Sequence, residues 1–468
     1  MLFNSLEFLV FLLLVLAVYY GAIPRRAWSA RKLMLVVASY LFYMNWNPYF
    51  GGILLASTVC DFTLGRLIEQ ATTPRRRRLC VVASVCLNLG ILCFFKYGNF
   101  LLTNGAALLS AIAVPVTPPT LEIALPIGIS FYTFESLSYV IDVYRGMPAS
   151  RNFLNFALFL SFFPHLVAGP IVRPAAFLPQ LLRAPRVDGA VIEAALARIG
   201  TGLVKKVVFA DTFGIYADTV WETARPVGWL NTLLGVYSYA FQIYFDFSGY
   251  TDIALGLAML FGLSLPENFD RPYLATSPRD FWRRWHISLS TWLRDYLYIP
   301  LGGNRRSVPR THVNLLLTML LGGLWHGAAW NFVLWGGYHG LLLSVQHVVA
   351  PGSPRRTPSP ARLWLQRILT FHLVCFGWIL FRSPSLPDVQ RILTGLTSGM
   401  SYAPSRAASL ALILLPIAVL LHVAGTGTGA RRWFVRLPAW VQGTAYAAMV
   451  LLVFFFSPRT EGFIYFQF

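Results

Sequence analysis

Apolar residues run in long uninterrupted stretches from Leu6 to Phe456, separated by short loops rich in Pro, Gly, Asn and Arg. The stretches lie at roughly 6–23, 32–46, 49–68, 80–96, 100–114, 123–144, 153–170, 199–221, 229–264, 313–331, 332–350, 363–382, 408–424 and 439–456. A helix needs about 20 apolar residues to cross the hydrocarbon, so the shorter stretches read as re-entrant or interfacial, and 229–264 is long enough for two elements. The pattern predicts an all-α polytopic membrane protein with about 11 to 13 spans. It shows no internal repeat and no separate soluble domain. Four regions follow: N-terminal transmembrane helices over 1–122, a core over 123–350, a basic Pro-rich cytoplasmic linker over 351–362, and C-terminal transmembrane helices over 363–468.

Two places break the apolar rhythm. Residues 265–312 are polar, aromatic and Arg-rich, with Pro266, Pro272, Pro278 and Pro300 as breakers and Gly302-Gly303-Asn304 as a turn. They predict short helices at the cytoplasmic face, dipping toward the core. The linker is Pro-Gly-Ser-Pro-Arg-Arg-Thr-Pro-Ser-Pro-Ala-Arg.

Composition supports a membrane protein. Of 468 residues 56% are hydrophobic and 12% charged, against about 25% charged in soluble domains. The net charge of +19 does not make a nucleic-acid domain, because the cations punctuate apolar runs. Arg25, Arg26, Arg31 and Lys32 follow the first segment, and Arg75 to Arg78 precede a later one. The positive-inside rule makes both loops cytoplasmic and places the N-terminus outside. The first segment, Leu6 to Tyr20, lacks a preceding basic region and a small-residue cleavage site, so it reads as a retained span. Cys60, Cys80, Cys86, Cys93 and Cys375 show no metal-site spacing; neither a disulfide nor zinc is expected.

The polar groups inside apolar sequence carry the chemistry. His326 lies in Gly322-Gly323-Leu324-Trp325-His326-Gly327. An imidazole at that depth needs a partner, a wet cavity or a substrate, and with an ordinary pKa near ~6.5 it suits proton transfer. It is either a satisfied core histidine or a functional one. His339 is 13 residues on, which on a continuous helix puts it near the opposite side, away from His326 unless the glycines break the helix. Asp246 and Tyr250 share a helical face, with Gln242 one turn back. That face is either a row of interhelical hydrogen bonds or the wall of a cavity, with Asp246 orienting a His or pairing with a cation. If 279–294 is one helix, Asp280 reaches Arg283 and Arg284, and His286 shares a face with Ser290. The segment is either an interfacial amphipathic helix or an anion-binding funnel beside a catalytic His. No GxSxG elbow, phosphate-binding P-loop or HExxH is present.

The chain resembles the membrane-bound O-acyltransferase (MBOAT) superfamily, in its bacterial alginate O-acetylation branch. The resemblance rests on Leu125 to Glu135, Phe163 to Ile171, Tyr244 to Asp252, Glu267-Asn268-Phe269, Asp280 to Asn304, Thr318 to Gly340 and the terminal Phe463 to Phe468. It implies a ring of helices around a central funnel or tunnel, with 123–350 as the catalytic core, and acyl transfer from a cytoplasmic thioester to a hydroxyl reached from outside. His326 matches the catalytic His and His286 the second motif position. On that footing His326 is the expected general base, with Asp246, Trp325 and Ser290 supporting or orienting. Trp325 or Trp330 is a candidate oxyanion donor. Arg283, Arg284, Lys205 and Lys206 are candidates to hold the phosphates of acetyl-CoA, without a metal. The expected setting is the bacterial inner membrane, with a periplasmic SGNH-hydrolase-like partner and a polysaccharide acceptor (alginate-like, cellulose or peptidoglycan), and no nucleic acid. Two other readings stay open: D-alanyl transfer from a carrier protein to teichoic acid, and a polysaccharide or lipid-linked glycan transporter using Glu135, Asp246, Asp252 and His326 as a proton relay.

Overall fold

Helix starts are written locally along this chain. Ser5, Asn47, Thr73, Asn152, Ser277, Ser359, Ser385 and Ser405 each accept a backbone N–H of a helical first turn through the side chain. These caps satisfy donors that the helix itself leaves unpaired. A computed structural model describes residues 1–114, 116–350, 359–400, 405–425, 437–457 and 463, and among these the regular elements are all helical. Residues 351–358 of the linker and 464–468 of the terminal motif lie outside the described residues.

The α-helices in chain order are α1 Leu6–Ala17, α2 Trp28–Met44, α3 Pro48–Gln70, α4 Pro74–Leu92, α5 Gly98–Ala111, α6 Ile129–Tyr144, α7 Phe153–Ser161, α8 Phe163–Leu166, α9 Pro174–Phe177 and α10 Gly189–Val204. There follow α11 Asp211–Trp221, α12 Trp229–Leu260, α13 Pro278–Arg284, α14 Ile287–Leu293, α15 Val308–His326, α16 Trp330–Val349, α17 Pro360–Arg382, α18 Leu386–Thr397, α19 Arg406–Ala424 and α20 Ala439–Phe456.

Two expected divisions are absent. The 80–96 and 100–114 stretches form one 38-residue helical run, Pro74–Ala111, because a π-helical turn at Cys93–Tyr97 carries the backbone through. The 229–264 stretch is one 32-residue helix, α12, about 48 Å long at 1.5 Å per residue, since it contains no proline to stop it. Five helical runs among the described residues are long and apolar enough to cross a membrane: α3, Pro74–Ala111, α17, α19 and α20. Arg31 and Lys32 belong to α2, not to a loop, and are buried. Lys32 donates to Asn155, and Arg31 donates to the Ile23 carbonyl beneath the Tyr19 ring.

The chain forms two compact units. The first comprises Met1–Leu196 and Ile253–Pro266. In it, Asp61 of α3 is fully buried and accepts from Ser84 (2.5 Å) and Asn88 (2.8 Å) of α4 and from Ser136 of α6. Three helices therefore converge on one carboxylate through neutral donors. On the neighbouring position of α6, Glu135 accepts from the Val172 N–H at 2.9 Å and faces His165 Nδ1 at 3.1 Å.

The second unit comprises Ala197–Asp252 and Glu267–Phe468. A π-helical turn at Lys205–Ala210 joins α10 to α11 and turns two lysines inward. Lys205 meets Asp252 at 2.6 Å, and Lys206 meets Asp211 and Asp246 at 2.7 Å each. Arg198 bridges Asp252 (3.0 Å) and Glu267 (2.6 Å). Farther along α12, Gln242 accepts from Arg382, which also holds Asp218 and lies over the Trp221 and Tyr239 rings.

Candidate active site

His326 is the last residue of α15. The helix does not continue: Gly327 is extended, and α16 starts three residues later at Trp330 and packs back along α15. Glycine permits that approach. A Cβ on Gly323 would stand 2.2 Å from the Phe332 carbonyl oxygen, and one on Gly336 would stand 2.2 Å from that of Met319. The glycines beside His326 thus admit a neighbouring backbone. The break is the exception allowed for His339, whose separation from His326 held only for one continuous helix. Trp335 of α16 lies between the two histidines, its ring 5.1 Å from His326 and 5.0 Å from His339.

The second histidine is positioned by a kink. Residues 279–294 are not one helix: α13 ends at Arg284 and α14 begins at Ile287, with His286 left-handed at φ 41° and ψ 55°. That conformation costs a non-glycine residue about 1–3 kcal/mol and persists where the surroundings enforce it. Asn268, fully buried, does so here. Its carbonyl oxygen accepts from the Ile287 N–H at 3.0 Å and its side-chain oxygen from the Ser288 N–H at 3.2 Å. Burial pushes the His286 pKa down to about 3, so the ring is neutral at physiological pH.

The kink places the His286 ring 6.5 Å from that of His326, both buried. Around His326 stand Trp325 at 5.0 Å, Trp335 at 5.1 Å and Phe381 at 5.3 Å; His286 is flanked by Phe247 at 4.6 Å and Trp325 at 6.0 Å. The result is an apolar, aromatic surround for two imidazoles. In such surroundings a neutral imidazole takes a proton from a hydroxyl held against it without competition from bulk water.

Most of the other candidates have partners of their own. Asp246 is engaged by Lys206, and Lys205 by Asp252, so the two lysines serve buried ion pairs. Ser290 donates to the Trp285 carbonyl at 3.1 Å, within its own turn. Trp330 is 59% exposed, whereas Trp325 is buried. Arg284 is held by Asp280 at 2.9 Å, as the spacing predicts, and also reaches Asp270; Arg283 beside it is exposed. Trp335, Phe381, Phe247 and Asn268 escaped the residue-by-residue reading. A helix stop at Gly327 was the one local signal that linked Trp335 to the site.

A family model described as MBOAT, membrane-bound O-acyltransferase family, matches residues 83–381. A probable alginate O-acetylase AlgI of Azotobacter vinelandii is 42% identical over 426 residues, covering 90% of this chain and 83% of that protein. A peptidoglycan O-acetyltransferase of Helicobacter pylori is 36% identical over 392 residues, 78% and 73% of the two chains. A teichoic acid D-alanyltransferase of Bacillus subtilis is 29% identical over 270 residues, 54% and 68%.

Proposed function

The chain belongs to the membrane-bound O-acyltransferase family, and from that premise we propose that it takes acetyl from cytoplasmic acetyl-CoA for O-acetylation of an extracytoplasmic polysaccharide. It is a multi-pass membrane acyltransferase. The observation that carries the finer reading is the buried His326 at a helix break with the neutral His286 ring 6.5 Å away. His326 acts as general base on the acceptor hydroxyl, a contribution of typically ~10²–10⁴-fold. His286 and Trp325 shape the pocket around it. Arg283 and Arg284, at the end of α13, hold the coenzyme A phosphates, for which their planar forks are suited. The acetyl reading draws on the acetylating relatives, which match this chain over a larger share and at higher identity than the D-alanyl relative. The polymer in question is of the alginate or peptidoglycan kind named in those relatives, with an SGNH-hydrolase-like partner completing transfer. The setting is the inner membrane with the N-terminus outside, in keeping with the exposed Arg75, Arg76 and Arg78 at the start of α4.

The test is release of free coenzyme A from acetyl-CoA by purified protein in detergent with a soluble hydroxyl acceptor, wild type beside His326→Ala. Release by wild type and not by the variant is expected. Equal release by both removes His326 from the reaction. Turnover of a D-alanyl carrier thioester, with acetyl-CoA left intact, replaces acetyl transfer by D-alanyl transfer.

A further inference from the structure

Trp335, which packs on His326, forms a cluster with Trp282 and His339 in which Trp282 Nε1, Trp335 Nε1 and both His339 nitrogens have no hydrogen-bond partner among the described residues. Trp335 and His339 are each 1% exposed. The rings pack on one another, with Trp335–His339 centroids at 5.0 Å, Trp282–His339 at 5.2 Å and Trp282–Trp335 at 5.7 Å. A buried N–H without an acceptor is destabilising, and a phenyl ring in its place would avoid that cost. A donor kept in this state at the edge of a reaction pocket is suited to an acceptor atom brought by the substrate. Of the three rings, Trp335 is the one in direct packing with His326, edge-to-face at 5.1 Å and 90°. A carbonyl group bound at the rim of that contact would meet both rings, one able to donate an N–H and the other to accept a proton. Trp330 is largely exposed and stands outside this arrangement.

We propose that Trp335 is a catalytic residue whose indole N–H binds the carbonyl oxygen of the donor thioester and stabilises the oxyanion formed on attack. The inference rests on the acetyl-transfer reading. In the step, the acceptor oxygen bonds to the thioester carbon and its proton passes to His326. The carbonyl π pair moves to oxygen, where the indole N–H meets the charge. Collapse restores the C=O bond and breaks C–S; the thiolate takes the proton from the imidazolium and leaves as free thiol. No further reactant is needed. Because the N–H faces charge only in the intermediate, it lowers the barrier more than it tightens ground-state binding.

The experiment replaces Trp335 by 3-benzothienylalanine, which keeps the bicyclic shape and substitutes sulfur for N–H, with Trp335→Phe alongside. Loss of one such donor typically lowers kcat about 10²–10³-fold, and that loss is expected in both proteins, with the KM for acetyl-CoA within about twofold of wild type and an unchanged melting midpoint for the benzothienyl protein. Dithioacetyl-CoA, whose C=S is a poor acceptor, sharpens the result: replacing acetyl-CoA by it should slow wild type more than it slows the benzothienyl protein. Wild-type kcat in the benzothienyl protein, or the same slowing of both proteins by the dithioester, overturns the proposal. Absence of His326-dependent turnover in wild type overturns the acetyl-transfer reading instead, so the two failures are distinct.

Discussion

Within one unit the chain treats buried polar groups in two opposite ways. Around the π-helical turn at Lys205–Ala210, each charge meets an opposite charge at 2.6–2.7 Å: Lys205 with Asp252, Lys206 with Asp246 and Asp211. Around His326 and His286 the neighbours are rings: Trp325, Trp335, Phe381 and Phe247. The first arrangement is closed. Two ammonium groups stand among three carboxylates, and what these ion pairs supply is the alignment of α10–α11 with α12. The second keeps two imidazoles in apolar walls, where one proton more or less is felt strongly because little else screens it. Charge pairing here builds the frame, and the aromatic surround is where the proposed chemistry is placed.

The contrast breaks most readily at its two centres. His326→Ala should lower turnover by at least ~10²-fold with an unchanged melting midpoint; a parallel loss of folded protein in size-exclusion profiles would make His326 part of the frame. Lys206→Ala should do the reverse. Leaving Asp246 and Asp211 buried without their cation costs about 3–5 kcal/mol, so the yield of folded protein should collapse, and a stable, fully folded Lys206→Ala protein would refute the frame role. In the other unit, Asp61→Asn puts an N–H donor where a carboxylate oxygen now accepts from Asn88 and Ser136. A destabilisation of about 1–3 kcal/mol is expected, read as a lower melting midpoint with activity per folded molecule retained. Arg283→Ala should raise the KM for acetyl-CoA about tenfold, the weight of one charge-assisted contact to phosphate, with kcat little changed. The smallest effect concerns pH. Since burial depresses the His286 pKa to about 3, it stays neutral through the working range. The acid limb of the kcat profile in His286→Gln should therefore keep the wild-type midpoint, and a displaced limb would show His286 titrating in that range.

Much of the fold was legible because helices are local. Caps such as Thr73 and Ser277, each followed by proline, mark helix starts, and long apolar runs mark the spans. Asp280 with Arg284 at four residues' spacing was legible for the same reason. What misled were junctions whose outcome depends on packing. The π turn at Cys93–Tyr97 carries one helix where two were expected, and the break at Gly327 makes two antiparallel helices that bring His339 within one indole of His326. Lys205 and Lys206 looked like phosphate ligands because their partners are remote: Asp252 is 47 residues from Lys205.

By itself, then, the sequence determined an all-helical membrane chain and its family and singled out two histidines, since hydropathy, capping and motif spacing are properties of short stretches. The tertiary structure decided which of the buried charges are mutually neutralised, how the left-handed His286 is braced by Asn268, and that Trp335 and Phe381 wall the His326 pocket. Those outcomes turn on side chains meeting across elements far apart in the chain, where distance and desolvation set the energy and neither can be read along the sequence.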